Sequence, residues 1–142
     1  MNPTAPIVID TNIVLDLFVF NDAATPPLKA QLAAGALNWL ATVPMRDELA
    51  RVLAYPQIAP RLAFYQLSAN DVLAAFDQHT RVVDVAPKAS VTCSDADDQK
   101  FIDLAVAHRA PLLSKDKAVL AMTRRLQAFG VRVARVLEVA EI

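Results

Sequence analysis

Glycine is nearly missing from this chain: only Gly35 and Gly130 occur among its 142 residues. No glycine-rich loop is therefore available to cradle a nucleotide phosphate, which excludes a Walker A loop and a dinucleotide fingerprint. The Gly-x-Ser-x-Gly turn of a serine hydrolase is missing as well. Cys93 is the single cysteine, so there is no internal disulfide and no cysteine zinc cluster. His79 and His108 lie too far apart in sequence to form a local metal motif. Charge of one sign is lacking too. At a formal net charge of -1, no global basic field draws in nucleic acid, and any such binding needs a local patch. No apolar run is long enough to span a bilayer, since Asp16 and Asn21 interrupt the best candidate. The first residues lack the basic region of a signal peptide. These absences lead us to expect a cytoplasmic protein with no membrane association.

What is abundant is apolar. Hydrophobic residues make up 55% of the sequence, which argues against disorder. The length fits one domain, residues 1–142, able to bury a substantial core. Such apolar content also suggests a surface covered by a second subunit. We expect a homodimer, with Trp39, Phe64 and Tyr65 as candidate interface aromatics.

Strand and helix patterns alternate. Ile7-Val8-Ile9 is a β-branched run that stops at Asp10, and a helix-like pattern starts at once through Phe18. After a turn at 21–27, Thr25 and Pro26 form a cap and first-turn proline for a helix that stops near Gly35. Residues 37–42 read as a second strand. Pro44 then opens a helix with a stripe of Met45, Leu49, Val52 and Leu53. A brief helical piece spans 58–65. Ser68 to Asp71 forms a capping signal for a helix ending near Thr80. A third strand covers 81–85, a loop 86–94, and a helix opens at Asp95-Ala96-Asp97-Asp98. Residues 111–114 form a fourth, buried strand, Lys115-Asp116-Lys117 leads into a helix through Leu126, and 131–134 is a last strand before a short tail. This alternation predicts an α/β fold, a three-layer α/β/α sandwich around a central parallel sheet.

In such a sheet, ligands bind beyond the carboxyl ends of the strands. Asp10 ends strand one and Asp116 follows strand four, so both lie on that rim. Asp95, Asp97 and Asp98 sit at a helix start, and Glu48 is one turn into the helix after strand two. Residues three and four apart share a helix face. Asp98 therefore faces inward with Phe101 and Ile102, whereas Asp103 groups with Gln99 and Lys100 as a solvated charge. Asp47 pairs with Arg51, four residues on, as a surface pair. Asp is also a favoured helix cap, and acids near helix N-termini favour the helix dipole. Capping alone accounts for Asp10, Asp95, Asp97, Asp98 and Asp116 one by one, but less well for Glu48 or for their meeting on one rim. Inward carboxylates need a partner, either a hard cation or a cluster of amide and hydroxyl donors. Oxygen ligands without His or Cys suit Mg²⁺ or Mn²⁺, and such an ion suits phosphodiester hydrolysis.

The segments Ile9-Asp10-Thr11-Asn12, Asp47-Glu48-Leu49, Asp95-Ala96-Asp97-Asp98 and Leu113-Ser114-Lys115-Asp116, in that order, resemble the PIN-domain ribonucleases. The nearest subgroup comprises bacterial and archaeal toxins of toxin–antitoxin pairs. The resemblance implies a Mg²⁺- or Mn²⁺-dependent endoribonuclease with RNA as substrate and an antitoxin protein as a possible partner. It places the four acids at Asp10, Glu48, Asp98 and Asp116. It makes Asp10 and Asp98 the core metal ligands, with Asp116 close by and Glu48 orienting or deprotonating the attacking water. Asn12, Ser114 and Asp95 match supporting polar positions. Lys115, Lys117, Arg124 and Arg125 are candidates to track an RNA backbone, or else a solvated helix face. The chain departs from the subgroup in having Asp95-Ala96 for Asp-Pro and Ser114-Lys115-Asp116 for Thr-Gly-Asp. Two other readings stand beside the nuclease. One is an inactive nucleic-acid- or protein-binding PIN module. The other is an aspartyl-phosphate phosphatase or phosphotransfer domain, against which Asn12 counts because a second Asp is common at that place.

Overall fold

The computed structural model describes residues 5–136. Residues 1–4 and, in the tail expected after the last strand, residues 137–142 lie outside them. Five strands form one all-parallel sheet: β1 (Ala5–Ile9), β2 (Leu37–Ala41), β3 (Thr80–Val82), β4 (Leu112–Leu113) and β5 (Val133–Ala134), in the order β3-β2-β1-β4-β5. The fold is the expected three-layer α/β/α arrangement. The chain builds outward from β1 to one side, then crosses back to build the other, so the order reverses between β1 and β4. A crevice opens beyond the carboxyl ends of the strands at such a reversal.

β1 is central because Ile7, Val8 and Ile9 are apolar on both faces, as a doubly covered parallel strand must be. Its register against β4 pairs Val8 with Leu112 and Ile9 with Leu113. The two residues after those pairs, Asp10 and Ser114, therefore emerge side by side. The Asp10 N–H donates to the Leu113 carbonyl at 2.8 Å and extends the ladder by one bond.

Around the sheet lie α1 (Thr11–Leu15), α2 (Pro26–Ala33), α3 (Val43–Leu53), α4 (Ala59–Phe64), α5 (Ala69–His79), α6 (Gln99–His108), α7 (Lys117–Leu120) and α8 (Thr123–Gln127). α1 widens into a π-helical turn over Asp16–Phe20 that ends at Asn21. Asn21 takes a left-handed φ of 49°, which Asn tolerates better than most residues. α3 and α5 pack on each other, and α6 packs on β1 and β4. Ser68 and Asp71 form a full capping box at the start of α5, as their spacing predicts.

Several expectations need correcting. Trp39 is a core residue, 1% exposed, stacked on Phe18 and edge-on to Phe76. It sits in β2 between β1 and β3, where no interface can reach it. Thr25 holds the N-cap position of α2 with Pro26 in the first turn, as expected, but its hydroxyl makes no capping bond and donates back to the Asp22 carbonyl. β3 covers 80–82 rather than 81–85, because it is an edge strand with one neighbour and Val85 is exposed. The expected helix after Asp116 is two short ones, α7 and α8, separated at Ala121 and Met122.

Asp103 is not a solvated charge. Its Oδ1 accepts the Ala89 N–H and the Gln99 side-chain amide, both at 2.8 Å. It ties the long loop after β3 to α6, the helix that follows the acidic turn. Replacing Asp103 with Ala should cost about 1–3 kcal/mol, the range for losing hydrogen bonds to a charged acceptor. Asp103→Asn, which keeps an acceptor, should cost less, and urea unfolding of the three proteins measures the difference.

Candidate metal centre

The acids meet at the rim where the sheet reverses. Asp10 follows β1 directly and is 4% exposed. It occupies the cap position of α1, yet its side chain makes no capping bond. Its Oδ2 instead accepts the Ser114 hydroxyl at 2.6 Å. The same serine oxygen accepts the Asp116 N–H at 3.0 Å. Buried Ser114 thus links the end of β1 to the residue that starts α7. Asn12 joins the same rim, its Oδ1 accepting the Lys115 N–H at 3.4 Å.

Asp95 precedes a single 3₁₀ turn, Ala96–Asp98, which runs into α6. The Asp95 carboxylate accepts the Asp97 N–H at 3.0 Å and so caps that turn. Asp116 caps α7 in the same way, through the Ala118 N–H at 2.8 Å. Asp98 has the cap position of α6 but makes no capping bond. It is 7% exposed, and its Oδ2 is buried without any hydrogen-bond partner. One carboxylate oxygen each from Asp95, Asp98 and Asp116 lies within 4.8 Å of the other two. Capping therefore describes Asp95 and Asp116, while Asp10 and Asp98 call for something else.

Electrostatics single out the same pair. Burial pushes the Asp10 carboxyl from 3.8 up to about 6, against the downward pull of the Ser114 hydroxyl and the Thr11 N–H, with Glu48 and Asp116 adding repulsion. Asp98 is pushed up to about 7, first by burial and then by the charges of Asp10, Asp116, Asp95 and Glu48. Burial and like charges both disfavour the ionised form.

Glu48 projects from α3 toward the same cleft. Its Oε1 accepts the Thr11 hydroxyl at 2.5 Å, and its Oε2 pairs with the Lys100 ammonium of α6 at 2.7 Å. The cleft, about 420 Å³, is lined by Asp10, Thr11, Asn12, Glu48, Asp97 and Asp116, with Arg51 and Val52 of α3 and Tyr55 just beyond its end continuing it. The donor set fits a hard divalent ion. It consists of carboxylate oxygens without thiol or imidazole, and one buried oxygen has no protein donor.

The sequence matches the PIN domain family over residues 6–118, most of the chain and all four motif acids. The chain belongs to the PIN-domain family. Comparison with curated proteins finds no match. PIN domains as a family are nuclease-type hydrolases that bind divalent metals, and this PIN domain carries an acidic triad able to hold one. Among the described residues, no helix is long and apolar enough to cross a membrane.

The candidate basic residues lie outside the cleft. Lys115 stands beside Asp116 in sequence, but its ammonium pairs with the buried Asp16 of the π-helical turn at 2.6 Å. Lys117, Arg124 and Arg125 are exposed on α7 and α8 and do not line the cleft. Arg51 lines it instead; its expected pair with Asp47 is not among the ion pairs of the described residues, where Arg46 pairs with Asp77. Thr11, Arg51, Tyr55 and Lys100 were not legible as site residues. Only Thr11 carried a signal, as the neighbour of Asp10.

Raised carboxyl pKa values fix a pH dependence. In the folded metal-free protein, Asp10 and Asp98 hold their protons above the usual 3.8. Their contribution to stability is therefore full below about 4 and is lost as pH rises through about 6 and 7. In chelator, the melting temperature of the wild type should fall from pH 5 to pH 8 more steeply than that of Asp98→Asn. Parallel melting curves across that range would show that Asp98 ionises freely.

Proposed function

We propose that this PIN domain is a Mg²⁺- or Mn²⁺-dependent endoribonuclease, the toxin of a toxin–antitoxin pair. The reading rests chiefly on Asp98, whose buried Oδ2 has no hydrogen-bond partner and whose carboxylate clusters with those of Asp95 and Asp116. On binding, a divalent ion would supply charge neutralisation at the scissile phosphate and acidification of a water.

The chain supplies the rest. Asp95, Asp98 and Asp116 would hold the ion, and Asp10 would complete the set from the adjoining strand end. Ser114 aims Asp10 through its 2.6 Å hydrogen bond, and Asn12 holds the backbone at Lys115. Glu48, fixed through both oxygens, orients the attacking water. Arg51 offers the cleft a cation for an RNA phosphate, and exposed Tyr55 offers a ring for an unstacked base. Lys117, Arg124 and Arg125 extend a basic track outside it. Phe64 and Tyr65, exposed and edge-to-face at 5.1 Å, remain the candidate contacts of a homodimer. Light scattering that gives 15.4 kDa at every concentration would dispose of the dimer.

The central test is RNA cleavage at saturating Mn²⁺, with thermal melting as the control. Mn²⁺ should raise the melting temperature of the wild type in a concentration-dependent way. Asp98→Asn should lose at least ~10²-fold in cleavage rate, the scale of losing one charge-stabilising group, and should also lose the Mn²⁺ shift. Asp95→Asn should weaken both. Asp97→Asn should change neither appreciably, because its contacts run through backbone atoms. A wild type that neither cleaves RNA nor shifts with millimolar Mn²⁺ would overturn the reading. The toxin role predicts a neighbouring gene for a small antitoxin whose co-expression relieves growth arrest.

A further inference from the structure

The acids of the rim are compensated differently. On the side of α3, both Glu48 oxygens are engaged, one by Thr11 and one by the Lys100 ammonium. Lys100 reaches there from α6, 52 residues away in sequence. It also donates to the Asp97 carbonyl and lies over the Phe101 ring, 5.1 Å from its centre. The side chains of Lys100 and Glu48 are only 22% and 16% exposed. This is a fixed ion pair rather than a passing surface contact. At the aspartate triad, by contrast, no Lys or Arg pairs with Asp95, Asp98 or Asp116 among the described residues, and an Asp98 oxygen stays unpartnered.

Two-metal phosphodiesterases place their ions about 3.5–4 Å apart, bridged or flanked by shared carboxylates. Here one carboxylate of the rim, Glu48, is already neutralised by an ammonium. We infer that Lys100 stands in for a second cation, so that the centre takes one divalent ion on the Asp95–Asp98–Asp116 side while Lys100 holds Glu48 in place. Lys100 is then a positioning residue acting through Glu48. The inference rests on the metal-centre reading above and adds a stoichiometry to it.

The experiment counts Mn²⁺ by isothermal titration calorimetry, with electron paramagnetic resonance to detect coupling between neighbouring ions. Wild type should bind one equivalent. Lys100→Met keeps the chain length and removes the charge, and should bind two, with a spin-coupled signal that the wild type lacks. Lys100→Arg should stay at one. Adding Glu48→Gln to Lys100→Met should return the count to one. Melting curves check that each variant folds, and Lys100→Gln replaces Lys100→Met if the latter does not. Two equivalents in the wild type, or one equivalent with either neutral substitution, would overturn the inference and leave the metal centre standing. No Mn²⁺ binding by any variant would instead remove the metal centre itself, and the inference with it.

Discussion

The alignment of β1 with β4 is the constraint on which the acidic cleft depends. Parallel pairing of Ile9 with Leu113 brings the two chain ends out together, and the 2.6 Å bond from Ser114 to Asp10 locks them. A strand slipped by one residue would exchange its two faces, taking Asp10 out of reach of Ser114 and Asp116 out of the cluster. The apolar residues on either side hold that register, since Val8 and Leu112 are wholly buried. Core packing and site geometry are therefore one requirement here. The acidic rim rests on the central strand pair.

What that alignment creates is electrostatically uncomfortable. Asp10 and Asp98 are both desolvated, each feels the other acids, and both carboxyls are pushed well above the ordinary range. Natural cores avoid such arrangements unless a partner offsets the charge. Asp95 and Asp116 soften the cost by capping short helices with one oxygen. Asp98 has no such outlet for its buried oxygen. Perturbed acids clustered at the end of a sheet are what functional sites look like in physical terms.

Counter-ions show how the fold divides labour among its cations. Lys115 neutralises Asp16 under the π-helical turn, and Lys100 neutralises Glu48 across the cleft. Both lysines sit close in sequence to acids of the cluster, yet each pairs with an acid from a distant segment. The triad of aspartates is left without a protein cation among the described residues. The rim thus carries one compensated acid, Glu48, beside an uncompensated triad, an asymmetry that depends on how far the Lys100 side chain reaches from α6.

The sequence by itself determined the order of strands and helices, the buried β-branched character of β1, the absence of phosphate-binding loops, and the candidate acids. Those features are local: a 3.6 or 2 periodicity, a capping box at Ser68, a carboxylate ending an apolar run. Asp98 could be separated from Asp97 by helix spacing alone, and the structure buries Asp98 while leaving Asp97 exposed. Tertiary structure decided what depends on meeting across the fold. It placed Trp39 in the core, gave Asp103 two donors from a loop and a helix, and brought Asp95 rather than Asp10 into the tightest carboxylate group. It also chose Lys100 for Glu48, separated by 52 residues. Periodicity reports which side of an element is buried, but not which distant side chain will share that side. That partnership is set by sheet order and strand register, which no local pattern encodes.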